Sequence, residues 1–251
     1  MKIVVIGAGN TATVLGRKIK QTPHSVIQIV NRSFEQAKVL GEELGCTFTD
    51  FNGTIDLSAD LYLFAIADTY LQDMKEYFKL GEKVAVHTAG AVSKNVLQDV
   101  SSNYGVLYPL QSLNKNIEAP ASIPFLIDGN NQHTVSVLSQ LAKDLSDEVN
   151  TANDEERLRL HVAAVFVNNF TNHLYEVAAE YCEKEKVNFN LLRPLIVETA
   201  QRILTHSPAS VQTGPAKRND VFTLQKHLQL LANHAKQKYL YMKLTDSIIN
   251  R

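Results

Sequence analysis

Cysteine is scarce in this chain. Cys46 and Cys182 are the only two, far apart and without the close spacing of a metal site. A disulfide framework is therefore not expected, nor a cysteine-bound metal, and a reducing compartment, the cytoplasm, fits. No charge sign dominates either. Lys and Arg number 25 against 26 Asp and Glu, a net charge of −1, so neither nucleic acid nor an anionic membrane is expected as partner. Long apolar runs are missing too, and none reaches the ~18 residues of a membrane span. No cationic stretch with a following apolar core stands at the start, because Gly7 interrupts the first apolar run. Internal repeats and low-complexity segments are also absent. These absences lead us to expect a soluble, cytoplasmic protein.

What is present is ordinary globular composition with one pointed motif. The chain has 251 residues, 45% of them hydrophobic, enough for one or two domains. Residues 2–6 read as an apolar strand. Gly7-Ala8-Gly9-Asn10-Thr11-Ala12 follows, a G-x-G-x-x-A turn, and then an amphipathic helix carrying Val14, Leu15 and Ile19. In a dinucleotide-binding βαβ unit the first glycine makes the tight turn. The second lets the pyrophosphate approach the backbone, and the third position must be small for helix–strand packing. The helix start then offers unpaired N–H groups to the phosphates. The strand before and the helix after are the context that gives the motif its meaning.

Strand and helix signals alternate as far as residue 150. Strands are expected at 25–30, 46–49, 61–66, 83–88, 104–107 and 124–127, with a last short one near Val149. Helices are expected at about 11–20, from a capping box at Ser33 and Gln36 to Leu44, and at 135–145. The alternation predicts a doubly wound parallel sheet, a Rossmann-type domain over residues 1–150. From 151 strand signals vanish. Asn153 and Glu156 form a second capping box, opening one long helix to about Glu183. Further helices are expected at 188–205 and 219–244. Residues 151–251 thus read as an all-helical domain, and its apolar long helix suggests a homodimer.

The second strand ends at Asn31, Arg32 and Ser33, where the adenine ribose of a bound dinucleotide sits. An NAD site usually places a carboxylate there. Arg32 can pair with a 2′-phosphate and lie over the adenine, and Ser33 can donate a hydrogen bond, besides capping the next helix. The expected cofactor is therefore NADP. Three other strand ends are polar. Ala65, Ile66 and Ala67 suit a wall beside the nicotinamide ribose, with Asp68 next to them, where either Asp68 or Thr69 could be a helix N-cap. His87 closes the fifth strand as a candidate proton donor or substrate contact. Tyr108 begins the polar end of the sixth.

Taken together, Gly7-x-Gly9, Asn31-Arg32-Ser33, His87-Thr88-Ala89-Gly90 and Tyr108-Pro109-Leu110-Gln111-Ser112 resemble the Rossmann-like proteins of the DUF2520 group. Two helical motifs add to this. One is the stretch 161–170, with His161, Asn168 and Asn169. The other is 213–220, with Gly214, Pro215, Lys217, Arg218 and Asp220. The resemblance spans nearly the whole chain. It implies an NADP oxidoreductase related to pyrroline-5-carboxylate reductase, ketopantoate reductase and the β-hydroxyacid dehydrogenases, whose helical domains commonly form the dimer. The β-hydroxyacid dehydrogenases place a lysine one helical turn before a paired asparagine. Here Ala164 and Val165 stand there instead. His161, seven residues before Asn168, would share its helix face and is the candidate acid/base. Asn168 and Asn169 would position the substrate, and Lys217 and Arg218 would hold its anionic end, Asp220 being a natural helix N-cap. The expected reaction is hydride transfer to or from a small carbonyl, imine or alcohol. An F420-linked NADP reductase and a non-catalytic NADP-binding regulator remain the alternatives.

Overall fold

The computed structural model describes residues 1–118, 120 and 122–251. The chain divides into two compact units, Met1–Asn168 and Asn169–Arg251.

The first unit is built on one eight-stranded sheet. Its strands are β1 (Lys2–Ile6), β2 (Ser25–Val30), β3 (Thr47–Thr49), β4 (Leu61–Phe64), β5 (Gly81–His87), β6 (Ser101–Pro109), β7 (Phe125–Gly129) and β8 (Val149–Thr151). They lie in the order β3-β2-β1-β4-β5-β6-β7-β8. This is a Rossmann-like sheet extended by two strands, and the order reverses between β1 and β4. Ligands bind outside the carboxyl ends of the strands at such a reversal. The expected all-parallel pairing needs one correction: β7 runs antiparallel to β6. Among the described residues no helix separates those two strands. A parallel return would need a crossover.

Burial explains the strands. Ile3 and Val5 point to one face with Leu15, Ile19, Leu40 and Leu138. Val4 and Ile6 point to the other with Tyr62, Phe64, Met74 and Phe78. Each such side chain, taken fully out of water, contributes about 1.5–3 kcal/mol. The first face is covered by α1 (Asn10–Ile19), α2 (Phe34–Leu44) and α3 (Gln132–Leu145). Gly45 ends α2 in the left-handed conformation, at φ +75°. The second face carries short 3-10 segments instead, Asp68–Glu76 and Lys94–Leu97. The first buries Leu71 and Met74, a three-residue spacing that a 3-10 turn stacks on one side.

Of the two expected capping boxes, Asn153 completes its own. Its side chain accepts from the N–H groups of Glu155 and Glu156, and the Glu156 carboxylate accepts from the Asn153 N–H, each at 3.0 Å. Ser33 makes only half of one, accepting from the Gln36 N–H at 3.4 Å. The Gln36 side chain turns to Asn31 instead, at 3.2 Å.

The long helix expected from Asn153 is interrupted. α4 (Asp154–Ala164) passes into a π-helical segment, Val165–Phe170, before α5 (Thr171–Lys184). A π segment bonds i to i+5, so it widens the turn and breaks the seven-residue register between His161 and Asn168.

The second unit holds α5 together with α6 (Arg193–Arg202), α7 (Val221–Leu230) and α8 (Ala235–Ile249). The helix expected over 219–244 is thus two. Asn233 and His234 are poor helix formers, and His234 turns inward to Glu185, at 2.7 Å. Asp220 caps α7 as expected, accepting from the Thr223 N–H at 3.1 Å. Among the described residues α6 and α7 bury no side chain. No described helix is long and apolar enough to cross a membrane. No group of described His, Cys, Asp or Glu residues is arranged to hold a metal ion.

Candidate functional site

The glycine turn sits at the switch point of the sheet. Gly7 holds φ +123°, and a Cβ there would lie 2.2 Å from the Ala65 carbonyl oxygen at the end of β4. Its N–H donates to the Val30 carbonyl at 2.7 Å, tying the ends of β1 and β2 together. Gly9 is different, because a Cβ on it would meet nothing within 4 Å. The open side of Gly9 is where a phosphate can come against the backbone. Gly9 is also the N-cap of α1 and has no side-chain cap, and the first turn holds no acidic residue. The helix start therefore keeps free donors and its partial positive charge. Ala12, in the first turn of α1, is fully buried, as the third position requires.

Above this turn opens a cavity of about 330 Å³, lined by Gly7, Ala8, Gly9, Asn31, Arg32, Phe51, Ala65, Ile66, Ala67, Tyr70, Asp73, Met74 and Tyr77. Seven residues singled out from the sequence meet here: Gly7, Gly9, Asn31, Arg32, Ala65, Ile66 and Ala67. Asn10, Thr11, Ala12, Ser33 and Asp68 are not among its described lining. The Asn10 side-chain oxygen instead accepts from the Lys115 N–H at 3.3 Å. Asp68 opens the 3-10 segment without capping it, since the N-cap is Ala67.

The Arg32 guanidinium lies over the Tyr70 ring, 4.9 Å from its centre. It has no carboxylate partner among the described residues. Phe51, Tyr70 and Tyr77 give the cavity an aromatic side that pattern reading missed, because these residues lie outside the regular elements expected there.

Further along the same strand-end edge, β5 and β6 meet α4. Tyr108 Oη lies 2.9 Å from His161 Nδ1, with the rings edge to face. Gly90 makes room for both: a Cβ there would lie 2.8 Å from His161 Nδ1 and 2.9 Å from Tyr108 Cζ. Burial and the nearby Asp68 push the Tyr108 phenol up, with Arg157 acting weakly in the other direction. Arg157 is itself almost fully buried on α4. Its Nη2 donates to the Val92 carbonyl and, at 2.7 Å, to Asp154. Neither Tyr108 in a working role nor Arg157 was picked out from the sequence. The one available signal was that Arg157 stands four residues before His161, on one helix face.

His87 corrects an expectation. It is completely buried, and its Nδ1 accepts from the Ala89 N–H at 3.1 Å while Nε2 faces the Ser93 carbonyl at 3.3 Å. Burial, reinforced by the charge of Arg157, lowers its pKa to about 4. A neutral ring with both nitrogens on backbone groups locks the turn after β5. It has no face for a substrate. Asn168 is half-buried in the π segment, and its side chain has no hydrogen bond among the described residues. Asn169 is exposed at the start of the second unit, whose loop before α7 exposes Lys217 and Arg218.

A family model described as "Domain of unknown function (DUF2520)" matches residues 123–248. A solved structure, "putative NADP oxidoreductase BF3122" from Bacteroides fragilis, is 35% identical. The match covers 100% of this chain and 98% of that one, with a TM-score of 0.89. The chain belongs to the DUF2520 family. The family model begins just before β7, whereas the likeness to BF3122 takes in the glycine turn as well. More distant solved structures share the fold. A 1-pyrroline-5-carboxylate reductase from Streptococcus pyogenes is 17% identical at a TM-score of 0.67, covering 100% of this chain and 99% of that one. An imine reductase from Myxococcus stipitatus, solved with NADP+, is 14% identical at 0.65, covering 100% and 92%. No curated protein matches this DUF2520 sequence.

Proposed function

We propose that this chain is an NADP-dependent oxidoreductase acting on a small carbonyl, imine or alcohol. The observation that carries the reading is Arg32. It is a guanidinium without a carboxylate partner, laid over Tyr70 at the rim of the glycine-turn cavity. A 2′-phosphate supplies the anion that Arg32 lacks, and no carboxylate at position 31 or 32 repels it. The names of BF3122 and of the imine reductase support the same cofactor.

Gly9 and the start of α1 would hold the pyrophosphate, and Arg32 and Asn31 the adenosine end. Ala65, Ile66 and Ala67 would form an uncharged wall beside the nicotinamide ribose. When bound, the cofactor supplies a hydride to or from the substrate carbon. The chain's own part is orientation, exclusion of water and movement of one proton, for which His161 is the candidate acid/base. Asn168, with its amide unengaged, would orient the substrate. The exposed apolar side chains of the helical unit, among them Leu191, Leu195, Leu204 and Phe222, support a homodimer formed through that unit. The two free cysteines fit a cytoplasmic location.

Thermal-shift titration with NADPH and NADH tests this. A cofactor at 100 times its Kd stabilises by about 2.7 kcal/mol. NADPH should do so at far lower concentration than NADH. A charge-assisted contact is worth about 1.5–3 kcal/mol, so Arg32→Ala should weaken NADPH binding roughly ten- to a hundredfold. Equal binding of the two cofactors, untouched by Arg32→Ala, refutes the assignment. Oxidation of bound NADPH by 2-methyl-1-pyrroline or a small keto acid separates an enzyme from a binding protein.

A further inference from the structure

We propose that Tyr70 is the positioning residue of Arg32: its ring holds the guanidinium at the glycine-turn cavity without using any of its N–H donors, and so sets the preference for a 2′-phosphorylated cofactor. The proposal rests on the reading of Arg32 as the partner of that phosphate. Three observations lead to it.

The first is the kind of contact. Arg32 Cζ lies 4.9 Å from the centre of the Tyr70 ring. The face of an aromatic ring attracts a cation through its quadrupole, with no lone-pair acceptor involved. The Arg32 side chain makes no hydrogen bond or ion pair to another described residue. A carboxylate in the place of the ring would engage the N–H fork and cancel the charge. The ring does neither. Arg32 is therefore localised while its donors and its charge stay available to an anion.

The second is the anchoring of the backbone on both sides of the contact. Tyr70 stands in the 3-10 segment Asp68–Glu76, which Leu71 and Met74 seat in the core. The Tyr70 N–H donates to the Ala67 carbonyl at 2.9 Å. Beside Arg32, the Asn31 N–H donates to the Thr49 carbonyl at 3.2 Å, and the Asn31 side chain donates to the Ser33 carbonyl at 3.1 Å. The long side chain of Arg32 is the freedom that remains. Tyr70 restricts it before a ligand arrives, which lowers the cost of ordering it on binding.

The third is Asp73. It lines the same cavity as Arg32 and Tyr70. It follows Tyr70 by three residues, the spacing that a 3-10 turn stacks on one side. A guanidinium without its platform would meet this carboxylate as a rival to the phosphate, yet Arg32 rests on the ring.

The test compares two cofactors that differ by the 2′-phosphate. Dissociation constants of NADPH and NADH are measured by isothermal titration calorimetry for the wild type, Tyr70→Leu, Tyr70→Phe, Arg32→Ala and the double variant. Tyr70 is 45% exposed, so leucine there leaves the core untouched, and ligand-free thermal unfolding checks the fold. An exposed cation–π contact corresponds to about a two- to fivefold change in binding. Tyr70→Leu should raise the NADPH constant by that factor and leave the NADH constant unchanged. Tyr70→Phe keeps the aromatic face and should behave as the wild type. Combined with Arg32→Ala, Tyr70→Leu should add nothing further. Should Tyr70→Leu fail to fold, Tyr70→Gln also removes the aromatic face and should give the same shift. Equal losses for the two cofactors, or the same loss in the absence of Arg32, overturn the proposal. A wild type that binds NADPH no better than NADH overturns the reading of Arg32 and the proposal with it. A wild-type preference that survives intact in Tyr70→Leu overturns the proposal alone.

Discussion

Gly7 and Gly9 belong to one motif but serve different physical needs. Gly7 is needed by the folded chain itself, since its φ of +123° and the Ala65 carbonyl leave no room for a Cβ. A residue forced into such backbone costs about 1–3 kcal/mol before the overlap is added. Gly7→Ala should therefore lower the stability of the cofactor-free protein by more than that range, as read by urea denaturation. Gly9 has open space where its Cβ would go. Gly9→Ala should cost at most about 1 kcal/mol, the N-cap preference for glycine over alanine. Its methyl group would instead project into the space proposed for the phosphates and weaken NADPH binding. Opposite signatures from the two glycines of one turn would distinguish a ligand turn from a merely tight one. The motif, Ala12 and the Asn31-Arg32 pair could be read in the sequence because their meaning is local. His87 could not, because its role depends on burial, which sequence position does not reveal.

At the level of elements, the junction of β5, the following turn and α4 is the informative piece. His87 sits in it as a buried neutral ring whose pKa is lowered to about 4 from the ordinary 6.5, chiefly by burial. The unfolded chain binds a proton at His87 between pH 6.5 and 4 and the folded chain does not. Stability from this group is therefore complete above about pH 6.5 and declines as pH falls toward 4. The total is roughly 3 kcal/mol. Urea midpoints measured from pH 7.5 to 4 should fall across this window, and the His87 ring signal should remain that of a neutral imidazole until near pH 4. A flat stability profile between pH 7 and 5 would contradict this. The buried strands and the Asn153 capping box followed from sequence periodicity. The 3-10 crossovers, the antiparallel β7 and the π segment did not. Each is a choice between backbone hydrogen-bonding patterns that similar side-chain spacings allow, and packing makes the choice.

For the whole molecule, the helical unit is the part that does not satisfy itself. Side chains such as Leu191 at 76% exposure and Leu204 at 82% stand in water. The homodimer proposed above would cover them and would account for helices that bury nothing of their own. Sedimentation equilibrium at micromolar concentration should give a dimer, and Leu191→Glu with Leu195→Glu should shift the population toward monomer; a wild-type monomer would refute the assembly. The sequence by itself determined the alternation of strand and helix, the glycine turn and the absence of an acidic residue after β2. These are properties of neighbours along the chain. Only the tertiary structure decided that Arg32 lies on Tyr70, that Tyr108 meets His161 over Gly90, and that His87 is sealed inside. Those contacts join residues dozens of positions apart, and no local periodicity encodes the approach of one strand end to another.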